Sequence, residues 1–118
     1  MNKFRASPIV VDGMRFHSKG EAKRFSELRL MLRAGEIERL QRQVMFPLTV
    51  NGQLITTYIA DFEYHKLPSH ERIVEDFKSP ATAKLPEFII KKKLLKAIHG
   101  IDLLITGKGS TLPARKAA

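Results

Sequence analysis

Two short stretches decide how this chain folds: Ile59-Ala60-Asp61-Phe62 and Ile73-Val74-Glu75-Asp76-Phe77-Lys78. β-Branched and aromatic residues crowd both, so both are expected to be strands. Each also carries carboxylates among apolar neighbours. A charge in such a place is costly unless it is paired or bound to a metal. Residues i and i+2 of a strand project to one side. Asp76 and Lys78 therefore point together, and Glu75 points the other way. If the two strands are neighbours, Asp61 joins them. Two acids and an ammonium converging at a sheet edge can hold a hard cation with a charge stabiliser beside it.

The flanking sequence supplies the partners. Asn51-Gly52 is a two-residue hairpin signal. It predicts that strand 53–64 folds back on strand 37–50, in which Ile37, Leu40, Val44, Phe46, Leu48 and Val50 are the apolar positions. His65 to His70, with Pro68 and Ser69, turns the chain into a third strand over 71–78, giving an antiparallel meander. Upstream, Ile9-Val10-Val11 and Met14-Arg15-Phe16 form a small hairpin about Asp12-Gly13. Ser18 and Glu21 then fit a capping box. Ala22, Phe25, Leu28 and Leu32 follow at helical spacing, predicting a helix over 18–34 that Gly35 closes. Downstream, Ser79-Pro80 stops the third strand. After a polar loop, Pro86 suits a helix first turn. A helix is expected over 86–99, with Ile90, Leu94, Ala97 and Ile98 on one face and Gly100 as its cap. Ile101 to Thr106 is almost wholly apolar and reads as a strand buried on both faces. Strand, helix and strand make a parallel, right-handed crossover. The expected fold is α/β in the α+β sense: an αβββαβ core with a central mixed sheet flanked by helices. Residues 1–106 form one domain, and 107–118 read as a basic, disordered tail.

Composition narrows the class. The 118 residues carry 21 basic and 12 acidic side chains, a formal charge of +9. Nucleic acid is the expected anionic partner, ahead of a membrane surface. No apolar run is long enough to span a bilayer, and residues 1–13 lack the apolar stretch of a signal peptide. There is no cysteine, so disulfides and cysteine-bound zinc are excluded. A cytoplasmic protein is expected. His17, His65, His70 and His99 show neither HExxH nor zinc-finger spacing, and no catalytic histidine is expected. Gly107-Lys108-Gly109-Ser110 lacks the upstream glycine of a Walker loop, since residue 102 is Asp. No organic cofactor is expected.

An acid on the first helix, an Asp on the second long strand and Asp-x-Lys on the third resemble the PD-(D/E)XK nuclease superfamily. More narrowly, Ser18-Lys19-Gly20-Glu21-Ala22, Gln43, Ala60-Asp61-Phe62 and Glu75-Asp76-Phe77-Lys78 resemble a small, phage-encoded family of unknown function assigned to that superfamily. The likeness spans roughly residues 16–105. It implies that Asp61 and Asp76 bind metal, that Lys78 is the motif lysine, and that Glu21 adds a helical acid to the metal shell. Gln43 matches an accessory glutamine used by some branches. Residue 60 is Ala where the superfamily's name has Pro. The implied activity is Mg²⁺- or Mn²⁺-dependent hydrolysis of DNA phosphodiesters, leaving 5′-phosphates and serving phage recombination or replication. Compact stand-alone members include junction resolvases, which implies branched DNA, junction or flap, as substrate. Small size suggests a homodimer, since one such domain offers limited surface for duplex DNA. Lys19 and Lys84, close to the site, and Lys91 and Lys93, in a basic run with Lys92 and Lys96, are the expected DNA contacts.

Blander readings exist for each residue. Asp61 and Asp76 singly suit strand ends or surface ion pairs. Glu21 suits a helix cap, Gln43 a half-exposed strand, and the lysine run a solvated helix face. Glu63 reads as solvated. The alternative function is a non-catalytic nucleic-acid-binding protein that keeps the fold; the next is a structural or assembly factor.

Overall fold

A long hairpin organises the molecule. In the computed structural model, which describes residues 9–107, strands β3 (Ile37–Val50) and β4 (Gln53–Lys66) pair antiparallel along almost their whole lengths. Asn51 and Gly52 both take left-handed φ, 50° and 78°, as the expected two-residue turn requires. Strand β5 (Arg72–Phe77) adds antiparallel to β4, and β6 (Leu104–Thr106) adds parallel to β5. The sheet order is β3-β4-β5-β6. Strands β1 (Ile9–Val11) and β2 (Met14–Phe16) form a separate hairpin around Asp12-Gly13. Helix α1 (Lys19–Arg33) follows it, while α2 (Pro80–Ala83) and α3 (Pro86–His99) connect β5 to β6. This is the mixed, helix-flanked sheet expected from the sequence. The tail read as disordered lies, from residue 108 on, outside the described residues.

Two cores flank the sheet. Phe25 and Leu28 of α1 pack with Phe16, Ile37, Phe62 and Tyr64. Phe88 and Leu95 of α3 pack with Phe46, Leu48, Tyr58, Ala60, Val74 and Leu103. Tyr58, Ala60, Phe62 and Tyr64 alternate along one side of β4, yet divide between the two cores. The ribbon therefore twists between Ala60 and Phe62, at the level of Asp61.

Five local expectations need correction. Ile101 and Leu103 are buried, but only 104–106 form strand, and β6 lies at the sheet edge rather than inside it. The polar loop after Ser79 holds the short α2, with the Ser79 hydroxyl accepting the Thr82 N–H. Helix α3 buries Phe88 and Leu95 and packs the expected Leu94 and Ile98 against the same core, but leaves Ile90 and Ala97 exposed. Phe88 sits beyond the start of the apolar spacing that was counted, and the stripe it sets is rotated from Ile90. Leu32 is 41% exposed, and it is its neighbour Met31 that packs against the core from the last turn of α1. His65 belongs to β4, not to the turn. Among the described residues, no helix is long and apolar enough to cross a membrane.

Candidate functional site

The β4–β5 ladder ends at the pair Phe62↔Glu75. Past it the strands part, and two carboxylates continue the pairing. The Asp61 N–H donates to Asp76 Oδ1 at 2.6 Å, and the Phe77 N–H donates to Asp61 Oδ2 at 2.8 Å. Each acid thus takes a backbone donor that the fork would otherwise orphan. Asp76 is 0% exposed. Its Oδ2 is buried and has no hydrogen-bond partner. The nearest cation is Lys78 Nζ at 3.9 Å, an ion-pair distance too long for a hydrogen bond. Burial pushes Asp76 up from 3.8 to about 6, against the pull of Lys78 and the Asp61 N–H. Burial also raises Asp61 to about 6; the Glu21 carboxylate adds to this, while the Phe77 N–H and Lys78 oppose it.

Glu21 reaches this fork from α1. The Ser18 hydroxyl accepts the Glu21 N–H at 3.1 Å, as a capping box requires. The reciprocal bond shifts by one residue: Glu21 Oε1 accepts the His17 N–H at 2.6 Å. Glu21 Oε2 accepts from Gln43 Nε2 at 3.1 Å. One carboxylate therefore caps the helix and faces the site, so the two readings of Glu21 do not compete. Gln43 has φ 51° inside a strand, between the pairs Arg42↔Phe62 and Val44↔Ala60. This left-handed kink, opposite Asp61, costs on the order of 1 kcal/mol or more and aims its amide at Glu21.

The structure brings Glu21, Asp61 and His17 together, with one ligand atom of each within 4.8 Å of the others. Asp76 and Lys78 adjoin them through the contacts above. Sequence reasoning set His17 aside because it fits no histidine motif. The missed signal is its place four residues before Glu21, directly ahead of the N-cap. Two glycines let the elements close on the site. A Cβ on Gly20 would lie 2.0 Å from the Phe77 ring, and one on Gly107 would lie 2.2 Å from the Lys78 carbonyl oxygen.

Glu75 faces away, as expected. Arg24 of α1 holds it with two hydrogen bonds (2.7 and 2.9 Å), and the Tyr64 hydroxyl donates a third at 2.6 Å. Its charge is fully met, in contrast to Asp76. Glu63 pairs with Arg72 at 2.9 Å. Lys19, Lys84 and Lys93 are exposed at the start of α1, the end of α2 and on α3. Lys91 instead pairs with Glu87 at 2.8 Å. It lies about 200° around α3 from Lys93, so the two do not share a face. Lys93, with Lys92 and Lys96, lines a largely apolar groove of about 360 Å³ between α3 and β6.

Residues 1–104 match the model of a family described as protein of unknown function (DUF1064), and the chain belongs to that family. Neither the curated proteins nor the solved structures contain a match to it.

Proposed function

We propose that this member of the family is a metal-dependent deoxyribonuclease of the PD-(D/E)XK superfamily, phage-encoded and acting on branched DNA. The observation that carries the reading is the fork itself: acids from two strands and a helix, one ammonium, and a buried carboxylate oxygen without a partner. A protein gains nothing in stability from an unmet charge at 0% exposure. A divalent ion would meet it. Asp61, Asp76 and Glu21 would hold Mg²⁺ or Mn²⁺, hard cations that favour carboxylate oxygens. When bound, such an ion supplies charge neutralisation at the phosphate and acidification of water. The remaining work belongs to the chain. Lys78 Nζ, beside Asp76, orients the attacking water and stabilises charge on the phosphate oxygens. Water adds to phosphorus, the P–O3′ bond breaks, and the leaving oxygen takes the proton, which leaves a 5′-phosphate and a 3′-hydroxyl. Gln43 and the backbone N–H of His17 fix the Glu21 carboxylate, and outer partners of this kind commonly tune affinity 10- to 100-fold. Exposed lysines supply sequence-independent phosphate contacts.

The test is a cleavage assay on linear, nicked, flapped and four-way DNA in Mg²⁺, Mn²⁺ or EDTA. Cleavage is expected only with metal, with branched substrates preferred. Asp76→Asn and Lys78→Ala should each lower the rate about a hundredfold or more while DNA binding persists. Cleavage that survives in EDTA or in Asp76→Asn overturns the mechanism. Binding without cleavage of any substrate favours the non-catalytic binder.

A further inference from the structure

We propose that His17 is a further protein ligand of the divalent ion, beside the three carboxylates, and that it makes the site select Mn²⁺ or another first-row transition ion over Mg²⁺. This rests on the metal-site reading above and names the ion the site takes. Among the described residues, the imidazole has no hydrogen bond to explain its position. Its Nδ1 lies 3.6 Å from Glu21 Oε1, outside hydrogen-bond range, and that oxygen already accepts the His17 backbone N–H at 2.6 Å. The backbone bond and the Ser18 cap fix the main chain here. The side chain is 83% exposed, so its ring can turn without disturbing the core. One ligand atom each from His17, Glu21 and Asp61 falls within 4.8 Å of the others. An octahedral ion with ligands at about 2.1 Å separates neighbouring ligand atoms by about 3 Å and opposite ones by about 4.2 Å. The exposed ring is the part of the cluster most free to turn towards an ion. Asp76, whose Oδ1 takes the Asp61 backbone N–H, has a buried Oδ2 without a hydrogen-bond partner among the described residues, an independent sign that the adjoining strand is short of a cation.

The chemistry then chooses the ion. Mg²⁺ takes oxygen and retains water, whereas imidazole favours transition metals, whose affinities rise along the series from Mn²⁺. An imidazole added to carboxylates makes a set that Mg²⁺ uses poorly.

The experiment uses the full chain and needs no DNA. MnCl₂ and MgCl₂ are titrated calorimetrically into wild type and into His17→Ala, and electron spin-echo spectra are recorded on the Mn²⁺ complexes. The alanine variant keeps the backbone N–H that caps Glu21, so it should fold; equal melting temperatures check this. Wild type is expected to bind Mn²⁺ at least tenfold more tightly than Mg²⁺ and to show nitrogen modulation. His17→Ala should lose about tenfold or more in Mn²⁺ affinity, change less than threefold for Mg²⁺, and lose the modulation. A nitrogen-free spectrum from wild type, or a Mn²⁺ preference intact in His17→Ala, overturns the assignment while leaving the carboxylate site standing. Binding of neither ion at millimolar concentration overturns both this inference and the metal-site reading.

Discussion

At the scale of single residues, Asp76 and Glu75 make a controlled comparison. They are adjacent and both 0% exposed. Glu75 has a bidentate guanidinium and a hydroxyl; Asp76 has one backbone N–H and a distant ammonium. Only the Asp76 position carries an unmet charge, and its pKa records this by moving from 3.8 to about 6. The sign for stability follows. Below pH 4 the acid is neutral in folded and unfolded chains alike. Between pH 4 and 6 the unfolded chain ionises first, so stability falls as pH rises. Above pH 6 the whole difference applies, on the order of 3 kcal/mol. Without metal, Asp76→Asn should therefore melt higher than wild type at pH 8, by about 1–3 kcal/mol once the amide's own burial is allowed for. The gap should close towards pH 4. Thermal melts in EDTA at several pH values measure this, and a gap independent of pH rejects the account. Adding Mn²⁺ should stabilise wild type more than the variant, since only a folded site binds and the variant lacks one of its carboxylates.

Among the elements, the first turn of α1 and the end of β5 depend on each other. Gly20 weakens a helix by about 1 kcal/mol relative to alanine, but an alanine there would drive its Cβ into the Phe77 ring at 2.0 Å. Gly20→Ala should destabilise the protein by about 1–3 kcal/mol despite the better helix former. It should also weaken metal binding by pushing Glu21 from Asp61. Phe77→Leu should relieve much of the clash, so the double variant should be more stable than the sum of the singles allows. Additive effects in denaturant titrations would show that the contact is not the cause. This coupling marks the limit of what the sequence disclosed. Asn51-Gly52, the Ser18 cap and the β-branched and aromatic residues of 59–62 and 73–78 act locally, so helix α1, the meander and the placement of Asp61 beside Asp76 were legible. The twist at Asp61 was not, because the kink at Gln43 is imposed by its partners and leaves no local pattern. Helix α3 was assigned correctly but rotated, since its apolar residues surround enough of the helix to permit two stripes. His17 carries its meaning only through a contact made by folding.

For the whole molecule, the charge of +9 is distributed with a consequence. The central acids are buried or half-buried, and surface acids are matched: Asp12 with Arg29, Glu63 with Arg72, Glu87 with Lys91, Asp102 with Lys96. Among the described residues, Lys19, Lys84 and Lys93 have no such carboxylate. With Lys92 and several arginines that likewise lack a carboxylate, they are among the cations able to replace counterions on a phosphate backbone. Each phosphate contact contributes about 0.9 to the slope of log affinity against log salt on duplex DNA. Lys84→Gln and Lys93→Gln should each reduce the magnitude of that slope by about 1 and weaken binding to all sequences alike. Lys91→Gln should leave it unchanged, because Glu87 already holds that ammonium at 2.8 Å. Fluorescence anisotropy in EDTA, with KCl varied and the DNA therefore left uncut, separates the cases. Equal effects from all three substitutions would mean that only net charge matters. No effect from any would place the DNA on another face of the protein.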